Sequence, residues 1–173
     1  VVLFVTDSNK GFWGQAGEIL SRFTWEWPQT FLGWGWAELC NTFGVMGGVE
    51  SVDYKYGATV TRTKNEDWGA VTLGSYITGE NSIRAEANNY LFQHEYGHYL
   101  QSQEMGLAYI PRVGIPSLLS SHDHNFHPVE QDANRRAFLY FNQNVNGFYK
   151  SKMEQNAPWG WDFRKNPLNI HND

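Results

Sequence analysis

Apolar positions change their spacing several times along this chain, and each change marks an element. Val1 to Thr6 is a short β-branched run that predicts a strand, followed by a polar, glycine-containing turn from Asp7 to Gly14. From Gln15 to Phe43 the apolar residues recur at helical spacing: Ile19, Leu20, Phe23 and Trp27, then Phe31, Leu32, Trp36 and Leu39. Pro28 lacks an N–H and clashes with the turn before it, so the stretch predicts two helices, near 15–26 and 28–42. Their large rings are expected to pack into the core.

Gly44 to Gly48 is a glycine-rich connection. Val49 to Lys64 alternates in places (Val52, Tyr54, Tyr56, then Val60) and predicts one or two strands. After a turn at 65–69, the run AVTLGSYIT (Ala70 to Thr78) predicts another strand, and Gly79 to Ala87 is loop-like. Asn88 is a plausible N-cap for a helix over 89–103, which Gly106 would stop. A long connection follows to His127. Pro128 then suits the first position of a further helix running to about Asn142. The tail from Asn144 is polar and aromatic and is expected to wrap the surface with little regular structure. This pattern gives one α+β domain over 1–173. It comprises a strand and aromatic helical pair (1–48), a sheet (49–87), two helices (88–143) and an irregular tail (144–173), with no internal repeat.

Composition narrows the classes. A chain of 173 residues is long enough to bury a core, and 41% hydrophobic residues exclude a disordered chain. The net charge of −5 leaves no basic stripe to replace phosphate counterions, so nucleic acid is not an expected partner. Cys40 stands alone, so no internal disulfide forms; this fits a reducing compartment without excluding export. No signal peptide is evident, and the abrupt start suggests a fragment or processed domain. No apolar run is long enough to span a bilayer.

One stretch, WEWPQTFLGWGW, packs four tryptophans into twelve residues and admits a second reading, as a patch for a membrane surface or a partner. Interfacial helices carry Lys and Arg on their polar face, and only Arg22 lies nearby, which weighs against a membrane.

The chemistry concentrates in HEYGH, residues 94–98. On a helix His94 and His98 stand one turn apart on one face and can bind one ion together. Glu95 points about a quarter-turn away, so it need not ligate; it can face a metal-bound water and take its proton. That is the mechanical content of H-E-x-x-H. Gly97 in mid-helix suggests close approach of another backbone. The competing reading is a polar helix face carrying two unrelated histidines.

Zinc needs at least three protein ligands, and HEYGH supplies two. Glu104 sits where one metalloprotease pattern places its third ligand, but Gln101 stands where that pattern needs a turning glycine. A continuing helix would carry Glu104 about 9 Å along the axis from His98, so it reads as a solvated last-turn residue. Glu130 is better placed, in the first turn of the next helix, with Asn134 at i+4 facing the same way. Here HPVEQDANRR resembles the gluzincin class of zinc metallopeptidases, in which a second helix bears a glutamate ligand in ExxxD or ExxAD form. Glu130, Ala133 and Asn134 match E-x-x-A-N. The departure is Asn134, which stands where the family has an Asp that orients a ligand histidine; an amide oxygen can still accept that N–H.

The resemblance implies a zincin-like α+β fold with a small, mostly antiparallel sheet and an edge strand above the metal helix. It also implies one zinc ion on His94, His98 and Glu130, Glu95 as general base, and a peptide or protein substrate. AVTLGSYIT would be the edge strand, with Gly74 marking a bulge or close approach. The SSHDHNFH run offers His124 or His127 as an alternative third ligand or a transition-state stabiliser; either can equally be a loop or capping residue. Tyr109 and Tyr140 are further candidates for an electrophile. The segments HEYGHYLQSQ and HPVEQDANRRA are also similar to domains at the C-terminal end of bacterial RHS-repeat proteins. That similarity implies one module of a larger exported or cell-surface polypeptide. Two rivals remain: a non-catalytic module that keeps zinc for stability, which a fourth protein ligand such as His124 would favour, and a toxin-like interaction domain using the tryptophan-rich segment.

Overall fold

The structure, a computed structural model, describes residues 3–120 and 127–148. It is α+β. Two N-terminal helices, α1 (Phe12–Phe23) and α2 (Trp27–Phe43), precede a four-stranded sheet of β1 (Val49–Lys55), β2 (Ala58–Thr63), β3 (Ala70–Leu73) and β4 (Tyr76–Gly79). Helices α3 (Tyr90–Met105), the short α4 (Ile115–Leu119) and α5 (Pro128–Asn144) follow. No helix is long and apolar enough to cross a membrane among the described residues.

The sheet is mixed, in the order β1-β2-β4-β3. The β1–β2 and β3–β4 pairs are antiparallel, while β2 and β4 run parallel with Val60 opposite Ile77. AVTLGSYIT is therefore two strands and not one. Gly74 and Ser75 turn it into a hairpin, with Gly74 at φ +59°, the glycine-first pattern of a two-residue loop. The close approach expected at Gly74 is present: a Cβ there would lie 2.4 Å from Thr30 Oγ1 and 2.6 Å from Thr30 N on α2.

The core lies between β2, β4 and the helices α3 and α5. Val60 and Ile77 from the sheet meet Phe92, Tyr96, Phe138 and Phe141 from the helices. Tyr56, at the β1–β2 turn, joins the ring cluster, 5.4 Å from Phe141 and 6.2 Å from Phe92 between centroids. Asn89, one residue later than expected, caps α3 by accepting from Phe92 N at 2.9 Å, and Gly106 ends the helix at φ +53°.

Two further expectations fail. Leu3 to Asp7 is irregular chain and not a strand. Its backbone is instead held from α1: Arg22 Nη1 donates to Leu3 O at 2.7 Å, and Asp7 N donates to Glu18 Oε2 at 2.8 Å. The connection after Gly106 is helical over most of its described length, with a 3₁₀ turn, a π-helical turn at Ile110–Gly114 and α4. The second failure is the aromatic helical pair, which is inverted. The buried residues of α1 are Glu18, Ser21 and Arg22, whereas Leu20, Phe23 and Trp27 are exposed. In α2 the buried stripe is Gln29, Thr30, Gly33, Ala37 and Cys40, whereas Phe31, Leu32 and Leu39 face outward.

The inversion has a physical cause. Arg22, 1% exposed, also donates to Gly57 O at 2.6 Å, so one guanidinium satisfies carbonyls of two separate loops. Glu18 additionally accepts from Lys10 Nζ at 2.6 Å and Tyr99 OH at 3.1 Å. Glu26 accepts from Ser102 Oγ at 2.9 Å, and Gln29 donates to Gly106 O at 2.8 Å. Buried loop carbonyls need donors, and the polar stripe of α1 supplies them. In α2 the small stripe lets the helix lie on the β3–β4 hairpin: a Cβ on Gly33 would sit 2.2 Å from Leu73 O. The tail from residue 149, expected to be irregular, lies outside the described residues.

Candidate metal centre

His94, Glu95 and His98 lie on α3, and Glu130 and Asn134 on α5. The two helices meet at Gly97. A Cβ there would stand 1.9 Å from Ala133 O, so only glycine permits this approach. Ala133 and Ala137 are the small, buried residues on the facing side of α5. This contact of backbones brings Glu130, one turn before Ala133, up to the histidine face of α3.

The result is a convergent group. His94 Nε2 is 3.1 Å and His98 Nε2 2.9 Å from Glu130 Oε2, and the three ligand atoms lie within 4.8 Å of one another. Among the described residues no fourth His, Cys, Asp or Glu joins them, and the group could hold a metal ion. The donor set fits: two imidazoles and one carboxylate are zinc ligands with one position left open.

Both imidazoles are oriented from behind. His94 Nδ1 lies 2.9 Å from Asn134 Oδ1. His98 Nδ1 lies 2.8 Å from Gln101 Oε1. The Gln101 amide nitrogen donates to Val129 O and Asp132 Oδ2, each at 2.9 Å, so its oxygen faces the histidine. With an amide oxygen behind each ring, Nδ1 faces an acceptor, and both Nε2 atoms turn inward towards Glu130. Asn134 thus stands behind His94, one helical turn after Glu130 on α5.

Charge is concentrated here. Burial pulls the His94 pKa down, but the hydrogen bond to Glu130 and the charge of Glu95 outweigh it, and the net direction is upward. Burial pushes the Glu130 carboxyl up, but hydrogen bonds from His94 and His98 and the charge of His98 reverse this. It is held far below the usual carboxylate range.

Glu95 is 5% exposed and lines a cleft of about 390 Å³ beside the group, together with Ala70 to Leu73, Tyr109, Ser117 and Leu118. Thr72 Oγ1 on β3 lies 2.6 Å from Glu95 Oε2, and Tyr109 OH donates to Thr72 O at 3.0 Å. β3 is an edge strand. Leu73 and Tyr76 close the hairpin, so Val71 and Leu73 bond to β4, while Ala70 and Thr72 turn their backbone groups to the outer edge, above the cleft.

The remaining sequence candidates fall elsewhere. His127 is the N-cap of α5, its Nδ1 accepting from Val129 N at 3.4 Å, and it is not in the metal group. Tyr140 donates to Asp7 Oδ2 at 2.5 Å and packs on Tyr96, away from the cleft. Glu104 is paired with Arg136 at the surface. His124 lies outside the described residues. Cys40 is buried in α2.

Sequence reading missed Thr72, Gln101 and Ser117, the last of which lines the cleft beside the group. Only Gln101 carried a signal: it stands at i+3 from His98 on the same helix face. Compared with known proteins, the chain matches no family model, no curated protein and no solved structure.

Proposed function

We propose that the protein is a zinc-dependent metallopeptidase with a gluzincin-type ligand set and a zincin-like arrangement of helices beneath an edge strand. One observation carries the reading: His94 Nε2, His98 Nε2 and Glu130 Oε2 converge at the floor of a cleft that Glu95 also lines. A zinc ion held by those three residues would supply Lewis acidity and an acidified water.

The chain's own residues perform the rest. Asn134 and Gln101 hold the two imidazoles with Nε2 inward. Glu95 accepts a proton from the attacking water and later gives it to the leaving amine. The Thr72 hydroxyl fixes the carboxylate for that transfer. An extended peptide adds to the outer edge of β3, where Ala70 offers its backbone groups and Thr72 its N–H, the Thr72 carbonyl being bonded to Tyr109. The absence of a fourth side-chain ligand among the described residues supports an open site over a closed, purely structural one.

The test is metal analysis with a peptide-library assay on wild type and Glu95→Gln. One equivalent of zinc in both proteins, with hydrolysis in the wild type alone, is the expected result. No bound zinc, or a mutant as active as the wild type, contradicts the reading.

A further inference from the structure

Beside the metal cleft runs a second depression, a groove of about 720 Å³ whose lining holds no charged residue. Phe31, Gly35 and Leu39 of α2 form one wall, Val71 and Leu73 of β3 the other, and Leu118 of α4 closes one side. The size lies within the roughly 300–1,000 Å³ of ligand pockets. Phe31 and Leu39 remain 45% and 44% exposed in it, so the protein's own core does not use this surface.

The groove and the cleft share a wall. Val71, Leu73 and Leu118 line both. They meet at the outer edge of β3, and an added strand turns successive side chains to opposite faces. When one residue of an extended peptide faces the cleft, its neighbour faces α2.

We infer that this groove is a specificity pocket that selects peptides carrying a large aliphatic or aromatic side chain next to the residue held at the metal cleft. The inference rests on the peptidase reading for its catalytic consequence, while the docking of the side chain stands separately.

Gly35 makes it testable. A Cβ added there meets nothing within 4 Å, and the position lines the groove, so a larger side chain fills the groove without striking the fold. Gly35→Leu also replaces a poor helix former by a good one, so α2 is retained. A second variant, Leu39→Lys, places a cation in the pocket.

A decapeptide library is digested with zinc-loaded wild type and both variants. Wild-type cleavage sites are enriched in Phe, Trp, Leu or Met at one fixed position. In Gly35→Leu the ratio of kcat/KM for a Phe peptide over its Ala counterpart falls by roughly tenfold or more. In Leu39→Lys the preference moves towards Glu and Asp at that position. Cleavage without enrichment, or an unchanged Phe/Ala ratio in Gly35→Leu, overturns the inference.

If no peptide is cleaved, the hydrolytic reading fails and the docking is judged by binding. Fluorescent Phe and Ala peptides are titrated onto Glu95→Gln with and without Gly35→Leu. Phe-selective binding lost with Gly35→Leu supports the pocket; equal binding of both peptides overturns it.

Discussion

Helices α3 and α5 bury the residues that the sequence marks as chemical, whereas α1 and α2 expose most of the residues that it marks as core. In the first pair the motif pattern and the packing agree. The histidines, Glu95 and Glu130 lie on facing surfaces, and Gly97 against Ala133 sets their separation. In the second pair the apolar spacing was read correctly as helical, yet the stripe faces out. Periodicity reports that one face of a helix differs from the other; it does not report what each face meets. Where loop carbonyls must be satisfied inside, a polar stripe with Arg22 and Glu18 takes the inner side.

The sharpest way to break this comparison is to mutate both faces of α1. Arg22→Leu leaves the carbonyls of Leu3 and Gly57 without their donor and removes the stronger of the two cations, Arg22 and Lys10, that act on Glu26. It should cost roughly 3–5 kcal/mol in urea unfolding. Leu20→Ser, on the exposed face, should change stability by no more than about 0.5 kcal/mol. If the costs were reversed, the inverted packing of α1 would be wrong.

Two helical glycines extend the comparison. Gly97→Ala drives a methyl into Ala133 O and should destabilise by about 3 kcal/mol, because backbone on both sides must move. Gly35→Ala meets open space and should stabilise by about 1 kcal/mol through helix propensity alone. Thermal unfolding of the two variants reads the opposite signs directly.

Within the metal centre, Gln101→Leu removes the acceptor of His98 Nδ1 and should weaken zinc binding about 10–100-fold in a competitive chelator titration. Unaltered affinity would mean that Gln101 only ties α3 to α5.

The smallest effect concerns Glu26. Burial raises its pKa in the fold, against the hydrogen bonds of Ser21 and Ser102. The unfolded chain therefore loses this proton first. Stability should fall as pH rises from the unfolded value of about 4.3 through the higher folded one. Glu26→Gln should flatten that slope in urea midpoints taken between pH 4 and 7; an unchanged slope removes Glu26 as its source.

What was legible in the sequence follows from the same contrast. The helix bearing HEYGH, the helix opened by Pro128, the glycine contact and the pairing of Glu130 with Asn134 were readable because ligand spacing and helix geometry are local rules. The β3–β4 hairpin was hidden because a Gly-Ser turn inside an apolar run looks like strand interior. Thr72 was hidden because its contact with Glu95 joins residues 23 positions apart with no pattern linking them. The outward face of α2 was hidden because its partner, the hairpin, is approached through Gly33 and not through the large rings.

The most direct measurement is the coordination of zinc in the loaded wild-type protein, by crystallography or X-ray absorption. The account predicts one ion on His94 Nε2, His98 Nε2 and a Glu130 carboxylate oxygen, with a water in the fourth position. Four protein ligands around the ion, or zinc that avoids Glu130, would contradict it.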